Sequence, residues 1–228
     1  MKNNALNFLG RGNAFNYNED NTSAYFIHDN HFYLFDCGQK IATKIIHFKL
    51  LNNIKRVTIF ITHLHPDHVA SLAELITYIN LFYKDITYEV IYKNKNELIE
   101  LLEIFNCNFY VDILDNYQDD YLKVEIVNQS HIPNSYGYLV YANDVKFFYS
   151  GDTNEVNAHA LELLLKGELD VFYHEVSKKQ SLFHVGIETL NKLIPSRLRN
   201  KVVLMHFEDE EIINLSLKSG YEIAKVNL

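Results

Sequence analysis

Short runs of apolar residues alternate with longer helical patterns from one end of the 228-residue chain to the other. Period-two alternation over residues 23–28 and 31–36, joined by Asp29-Asn30, predicts a hairpin with a two-residue turn. Before it, Asn7-Phe8-Leu9 reads as a first strand ending in the glycine-punctuated turn Gly10-Arg11-Gly12-Asn13-Ala14. Residues 40–51 carry Ile41, Ile45, Ile46, Phe48 and Leu51 at helical spacing, and the run Val57-Thr58-Ile59-Phe60-Ile61 reads as a buried strand. Beyond it, Val69, Leu72, Ala73, Ile76 and Ile79 predict one helix opened by Asp67-His68, with Asp67 at or near its N-cap. Further strands are predicted at residues 86–92, 121–127, 137–141, 145–149, 170–173, 201–205 and 221–226, and helices at 96–105, 155–166 and 185–194. Two strand-rich halves, each interleaved with helices, suit two sheets packed face to face with helices outside, an α/β architecture. The length suits a single domain over residues 1–228.

Composition narrows the class. The chain is 48% hydrophobic, no apolar run approaches the ~20 residues of a membrane span, and Met1-Lys2-Asn3-Asn4 lacks a signal-peptide core. A cytoplasmic protein with no membrane contact is expected. Two cysteines, Cys37 and Cys107, make no disulfide framework and read as small buried apolar residues. The net charge of -8 argues against a grip on long nucleic acid, which needs a basic face. The basic stretch Arg197-Leu198-Arg199-Asn200-Lys201 reads as a solvated turn between a helix and a strand.

The polar residues then change the picture. Thr62-His63-Leu64-His65-Pro66-Asp67-His68 follows the buried strand directly, so three imidazoles and a carboxylate are delivered at a strand's carboxyl end. Such donors suit zinc and its first-row neighbours, and gathering them without a cation is costly. Later strands end in the same way: His131 follows residues 124–127, Asp152 follows an aromatic strand and Gly151, and His206 follows Val202-Val203-Leu204-Met205. Seven groups are enough for two metals sharing a carboxylate. Asp36 reads equally well as a support for a metal-bound histidine or as a turn carboxylate.

The spacing His-x-His-x-Asp-His, with the three later ligands, resembles the metallo-β-lactamase superfamily over residues 7 to about 207. The resemblance implies a four-layer αβ/βα sandwich of two mixed sheets with outer helices. It also implies two divalent metal ions: His63, His65 and His131 would hold one, Asp67, His68 and His206 the second, and Asp152 would bridge them. Zinc is the first expectation, and manganese and iron accept the same donors. Histidine rather than glutamate at position 65 excludes the flavodiiron motif.

Several stretches resemble the ribonuclease Z branch: residues 9–14, Phe35-Asp36-Cys37-Gly38, Ser135-Tyr136-Gly137-Tyr138, Gly151-Asp152-Thr153 and His174-Glu175. His184 stands at the place of that branch's additional histidine, which implies that Glu175 orients His184 and His184 assists the leaving oxygen; a surface histidine before a helix is the alternative. Asp67 is expected to orient the nucleophile, and Ser135, Tyr136 and Gly137 are either substrate contacts or a turn feeding a strand. The basic arm that ribonuclease Z uses to hold tRNA has no room here, and His206 leads into the acidic run Glu208-Asp209-Glu210-Glu211. A compact, armless core resembles the phage anti-Pycsar phosphodiesterases of cyclic mononucleotides and the cyclic phosphodiesterase of phosphonate metabolism. A small phosphodiester or nucleotide substrate, cyclic first, follows from the resemblance, as does a homodimer; the apolar side chains of residues 72–83 read first as an ordinary core face and second as part of such a dimer surface. The alternatives are a tRNA 3′-processing endonuclease, another hydrolase opening lactones, thioesters or β-lactams, and a non-catalytic nucleotide-binding protein.

Overall fold

A computed structural model describes residues 5–107 and 111–226. The first sheet has six strands in sequential order: β1 (Asn7–Gly10), β2 (Ser23–His28), β3 (His31–Phe35), β4 (Arg56–Phe60), β5 (Thr87–Ile91) and β6 (Asp112–Leu114). The second has seven, β7 (Tyr117–Gln118), β8 (Leu122–Asn128), β9 (Tyr136–Ala142), β10 (Lys146–Tyr149), β11 (Val171–Glu175), β12 (Val202–Met205) and β13 (Glu222–Ile223), again side by side in chain order. Helices α1 (Ile41–His47), α2 (Pro66–Val69), α3 (Leu72–Phe82) and α4 (Lys95–Ile104) serve the first half. Helices α5 (Ala158–Lys166), α6 (Ile187–Leu193) and α7 (Glu210–Lys218) serve the second.

Strand alternation builds the layers. In β3, Tyr33 and Phe35 face the space between the sheets while Phe32 and Leu34 face the first helical layer; in β10, Phe147 and Tyr149 face inward and Phe148 outward. The inter-sheet core is aromatic: Phe35 lies 4.8 Å from Phe60 and 5.1 Å from Tyr149, ring to ring. Three buried clusters, one between the sheets and one beneath each helical layer, give the expected αβ/βα sandwich.

Strands β3 to β6 are parallel, as are β10 to β13, so crossover helices leave their carboxyl ends on one edge. The two sheets are tied there: the Tyr136 N–H donates to the Thr62 carbonyl at 2.9 Å and the Tyr138 hydroxyl to that of Ile61 at 2.5 Å. The hairpin turn forms as expected, with Asp29 and Asn30 both at positive φ (46° and 64°).

The structure corrects several expectations. The helix after the motif is two helices, interrupted at Ala70 and Ser71, because the His68 carbonyl accepts from the Cys37 N–H at 2.7 Å and the Ser71 N–H donates to the Cys37 carbonyl at 3.1 Å. His65 is the N-cap of α2 with Pro66 behind it, and Asp67 lies inside the first turn. The acidic run opens α7: Asp209 caps it by accepting from the N–H groups of Glu211 and Ile212, and Glu210 and Glu211 fill its first turn. Arg199 is structural, donating to the carbonyls of Ile194, Asn191 and Ser219. Both cysteines are buried and unpaired. No helix among the described residues is long and apolar enough to cross a membrane.

Candidate metal centre

The loops leaving the common edge bring two donor groups together. His63, His65 and His131 form one, and Asp67, His68, Asp152 and His206 the other, each with ligand atoms within 4.8 Å of one another. His65 Nδ1 stands 3.0 Å from His63 Nε2 and 3.2 Å from His131 Nε2. His206 Nε2 lies 3.4 Å from Asp67 Oδ2 and 3.3 Å from Asp152 Oδ2. Asp152 sits between the groups: Oδ2 is 3.9 Å from His63 Nε2 and 3.8 Å from His131 Nε2, and Oδ1 is 3.3 Å from His68 Nε2. All seven residues that the spacing singled out are thus gathered in one place.

Three of the imidazoles, those of His63, His68 and His131, meet a partner outside the centre. His68 Nδ1 lies 2.9 Å from Asp36 Oδ2, and the Thr62 N–H and hydroxyl donate to the same carboxylate at 2.8 Å and 3.0 Å. Thr62 Oγ1 is also 3.1 Å from His63 Nδ1. His131 Nδ1 donates to the main-chain carbonyl of Phe183 at 2.8 Å. A donating Nδ1 leaves Nε2 with a lone pair, and in His68 and His131 that lone pair points into the centre. Asp36 therefore takes the supporting role, against the turn-carboxylate alternative, and Thr62 joins it as a support that sequence reasoning passed over. Its only signal was a polar side chain interposed between an apolar strand and the first histidine.

The fit to cations rests on the donor set and on two orphaned atoms. His68 Nε2 and Asp152 Oδ1 are buried without a hydrogen-bond partner, 3.3 Å apart. Burial opposes charge on Asp152, yet His206, His68 and His63 around it hold its carboxyl well below the usual range. Asp67 is likewise opposed by burial and held far down by His68 and His206. Burial disfavours the charged form of His206, but Asp152, Asp67 and Glu175 lift it to about 10. His63 and His65 are lowered, by burial first and by neighbouring imidazoles next. Buried carboxylates with this pull for positive charge, facing nitrogen lone pairs, fit bound divalent cations.

A second constellation borders the first. Glu175 ends β11 fully buried; its Oε1 accepts from the Thr153 N–H at 2.9 Å, and its Oε2 lies 3.0 Å from His184 Nδ1 and 3.7 Å from His206 Nδ1. Burial works against the His184 imidazolium, but the Glu175 carboxylate raises its pKa above the ordinary histidine value. The loop holding His184 closes with Ser177 bridging Gly186, where a side chain would strike the Gln180 backbone. His184, His131, His65, Asp67, Asp152 and His206 line a cavity of about 410 Å³.

Ser135, Tyr136 and Gly137 are not brought to that cavity. They are buried where the turn enters β9: the Ser135 carbonyl accepts from the Gln129 N–H at 2.8 Å, its hydroxyl accepts from the Ile132 N–H at 3.3 Å, and Gly137 leaves room for the Gln129 side chain. Ile132, from the same turn, lines the cavity instead.

Comparison with known proteins agrees with this geometry. The chain is 26% identical over 223 residues to the anti-Pycsar protein Apyc1 of Paenibacillus sp. (strain J14), covering 90% of this chain and 89% of that one. Human tRNase Z, short form, superposes with a TM-score of 0.72 at 20% identity, over 97% of this chain and 96% of that one. The metallo-β-lactamase fold protein YhfI from Bacillus subtilis superposes with a TM-score of 0.75 at 14% identity, over 98% and 97%. The family described as anti-Pycsar protein Apyc1 matches residues 4–103 and 88–220, so the chain belongs to that family, on a metallo-β-lactamase fold.

Proposed function

We propose that the protein is a dinuclear-metal phosphodiesterase that hydrolyses a small phosphodiester, a cyclic nucleotide first. The observation that carries this reading is Asp152, whose carboxylate lies within 4 Å of histidines of both donor groups while the His184–Glu175 pair opens onto the same cavity. Membership in the anti-Pycsar family supports it. His63, His65 and His131 would hold one cation, Asp67, His68 and His206 the other, and Asp152 would serve both; zinc is the metal proposed. Bound divalent cations supply Lewis-acid neutralisation of the phosphate and a more acidic water.

The chain's own residues do the rest. Asp67 orients the attacking water at the floor of the cavity. His184, whose imidazolium the Glu175 carboxylate favours, donates to the departing oxygen on the opposite side of phosphorus. The acidic start of α7 beside the cavity disfavours a polyanion. The same reading takes residues 1–228 as one cytoplasmic domain and places a homodimer contact at the exposed Leu81 and Phe82 of α3.

The experiment is a metal-reconstituted turnover screen against cyclic mononucleotides, cyclic dinucleotides, a chromogenic phosphodiester and pre-tRNA. Cleavage of cyclic nucleotides is the expected result. Cleavage of pre-tRNA alone would replace the proposal with the tRNA-processing reading.

A further inference from the structure

The cavity over the metal centre has a floor and a rim of opposite chemistry. Imidazoles and carboxylates make the floor; Ala14, Phe15, Ile132 and Phe183 make the rim, and none of the lining residues is a lysine or arginine. Phe15 is 80% exposed and Phe183 is 50% exposed, yet both stand on pinned backbone. Asn13 Oδ1 accepts from the N–H groups of Phe15 at 3.1 Å and Asn16 at 3.0 Å, and the Asn13 N–H donates to the carbonyl of Phe207, the residue after His206. The Phe183 N–H donates to Ser181 Oγ at 3.1 Å, and its ring centroid lies 5.8 Å from that of His131.

Two aromatic rings held open to water at one cavity's edge leave apolar area that a planar ligand would cover. The ligand end at the rim is not anionic, since the cavity lining holds no lysine or arginine and the neighbouring pocket that Phe15 shares carries Glu208, Asp209 and Glu210, its Arg11 being paired with Glu19. The ligand is small, since about 410 Å³ lies near the lower end of the ~300–1,000 Å³ typical of small-molecule sites.

We propose that Phe15 and Phe183 are the base-holding walls of the site, against which the nucleobase of a mononucleotide substrate lies while its phosphate occupies the floor. This rests on the phosphodiesterase reading and adds to it where the base goes. Phe183 directly precedes His184, so one loop positions both the base and the leaving-group side of the substrate.

The test compares calorimetric binding of a nucleoside 5′-monophosphate and of ribose 5-phosphate to the metal-loaded protein, alongside turnover of a 3′,5′-cyclic nucleotide. The nucleotide is expected to bind at least about tenfold tighter than the sugar phosphate. Phe15→Ala and Phe183→Ala are each expected to erase most of that ratio with ribose 5-phosphate affinity and metal content unchanged, and Phe15→Tyr to restore it. Turnover of the cyclic nucleotide with equal affinity for the two ligands, or a ratio untouched by both alanine variants, overturns the aromatic walls and leaves the phosphodiesterase standing. Failure to cleave any cyclic nucleotide removes the cyclic-nucleotide reading and the walls with it.

Discussion

Glu175 Oε2 lies 3.0 Å from His184 Nδ1, a buried carboxylate holding a half-exposed imidazole at the edge of the metal centre. If His184 serves the leaving oxygen, His184→Ala lowers kcat by roughly 10²- to 10³-fold with metal content unchanged. Glu175→Gln lowers it less, since the imidazole remains but loses the negative charge that favours its protonated form. Steady-state turnover paired with elemental analysis checks both; wild-type turnover in His184→Ala would remove the assignment.

Asp36 is fully buried and serves His68 and Thr62 together. Asp36→Ala frees the His68 ring to turn and is expected to weaken metal binding by about 10- to 100-fold. Chelator competition measures this directly. An affinity equal to wild type would show that packing alone orients His68.

His65 and Asp152 make opposite predictions about stoichiometry. If each donor group holds one ion, His65→Ala loses chiefly one of the two, while Asp152 faces both groups and Asp152→Ala loses more. Metal counts on purified protein decide the point, and an Asp152→Ala protein that keeps both ions would contradict the shared carboxylate.

Gly38 packs against the backbone of the motif loop, where an added Cβ would fall on the Asp67 carbonyl. Gly38→Ala must therefore push the Asp67 loop away or distort its own, at a cost of roughly 1–3 kcal/mol in stability. Denaturant midpoints and metal affinity are both expected to fall; a variant matching wild type in both would mean that the loop has slack.

His31 lies at the far end of β3 from the candidate metal centre, 2.8 Å from Thr58 Oγ1, with Asp119 3.6 Å away. Burial first, then the Arg56 charge, lowers its pKa from 6.5 to about 4 against the pull of Asp119. The unfolded chain therefore binds this proton first as pH falls, so the contribution is complete above about 6.5 and is lost between 6.5 and 4. Screened by solvent at the ring's edge, the loss is roughly 2 kcal/mol. Urea titrations at pH 7 and pH 4.5 are expected to separate wild type from His31→Gln, whose stability changes less; parallel pH dependence would exclude His31 as the cause.

The motif was legible because its chemistry is local. Donors packed within six positions behind a run such as Val57 to Ile61 announce both the strand and the ions at its end. His131, Asp152 and His206 were legible for the same reason, each following an apolar strand. What stayed hidden depends on distant partners. The break at Ser71 is imposed by the Cys37 backbone, more than thirty residues away. Strands β6 and β7 have three and two residues, too few for any period to register, and exist through their neighbours' ladders. Helix α7 was masked by its own capping carboxylates, which read as a charged run. Ser135 to Gly137 resembled contact residues until the ladder and turn partners accounted for them.

The hydrogen bond from His131 to the Phe183 carbonyl makes the His184 loop and a side chain of the candidate metal centre a single mechanical unit. Whatever lifts that loop also unlatches an imidazole from the centre. A substitution that displaces residues 181–184 would then also shift the His131 ring in the same stroke.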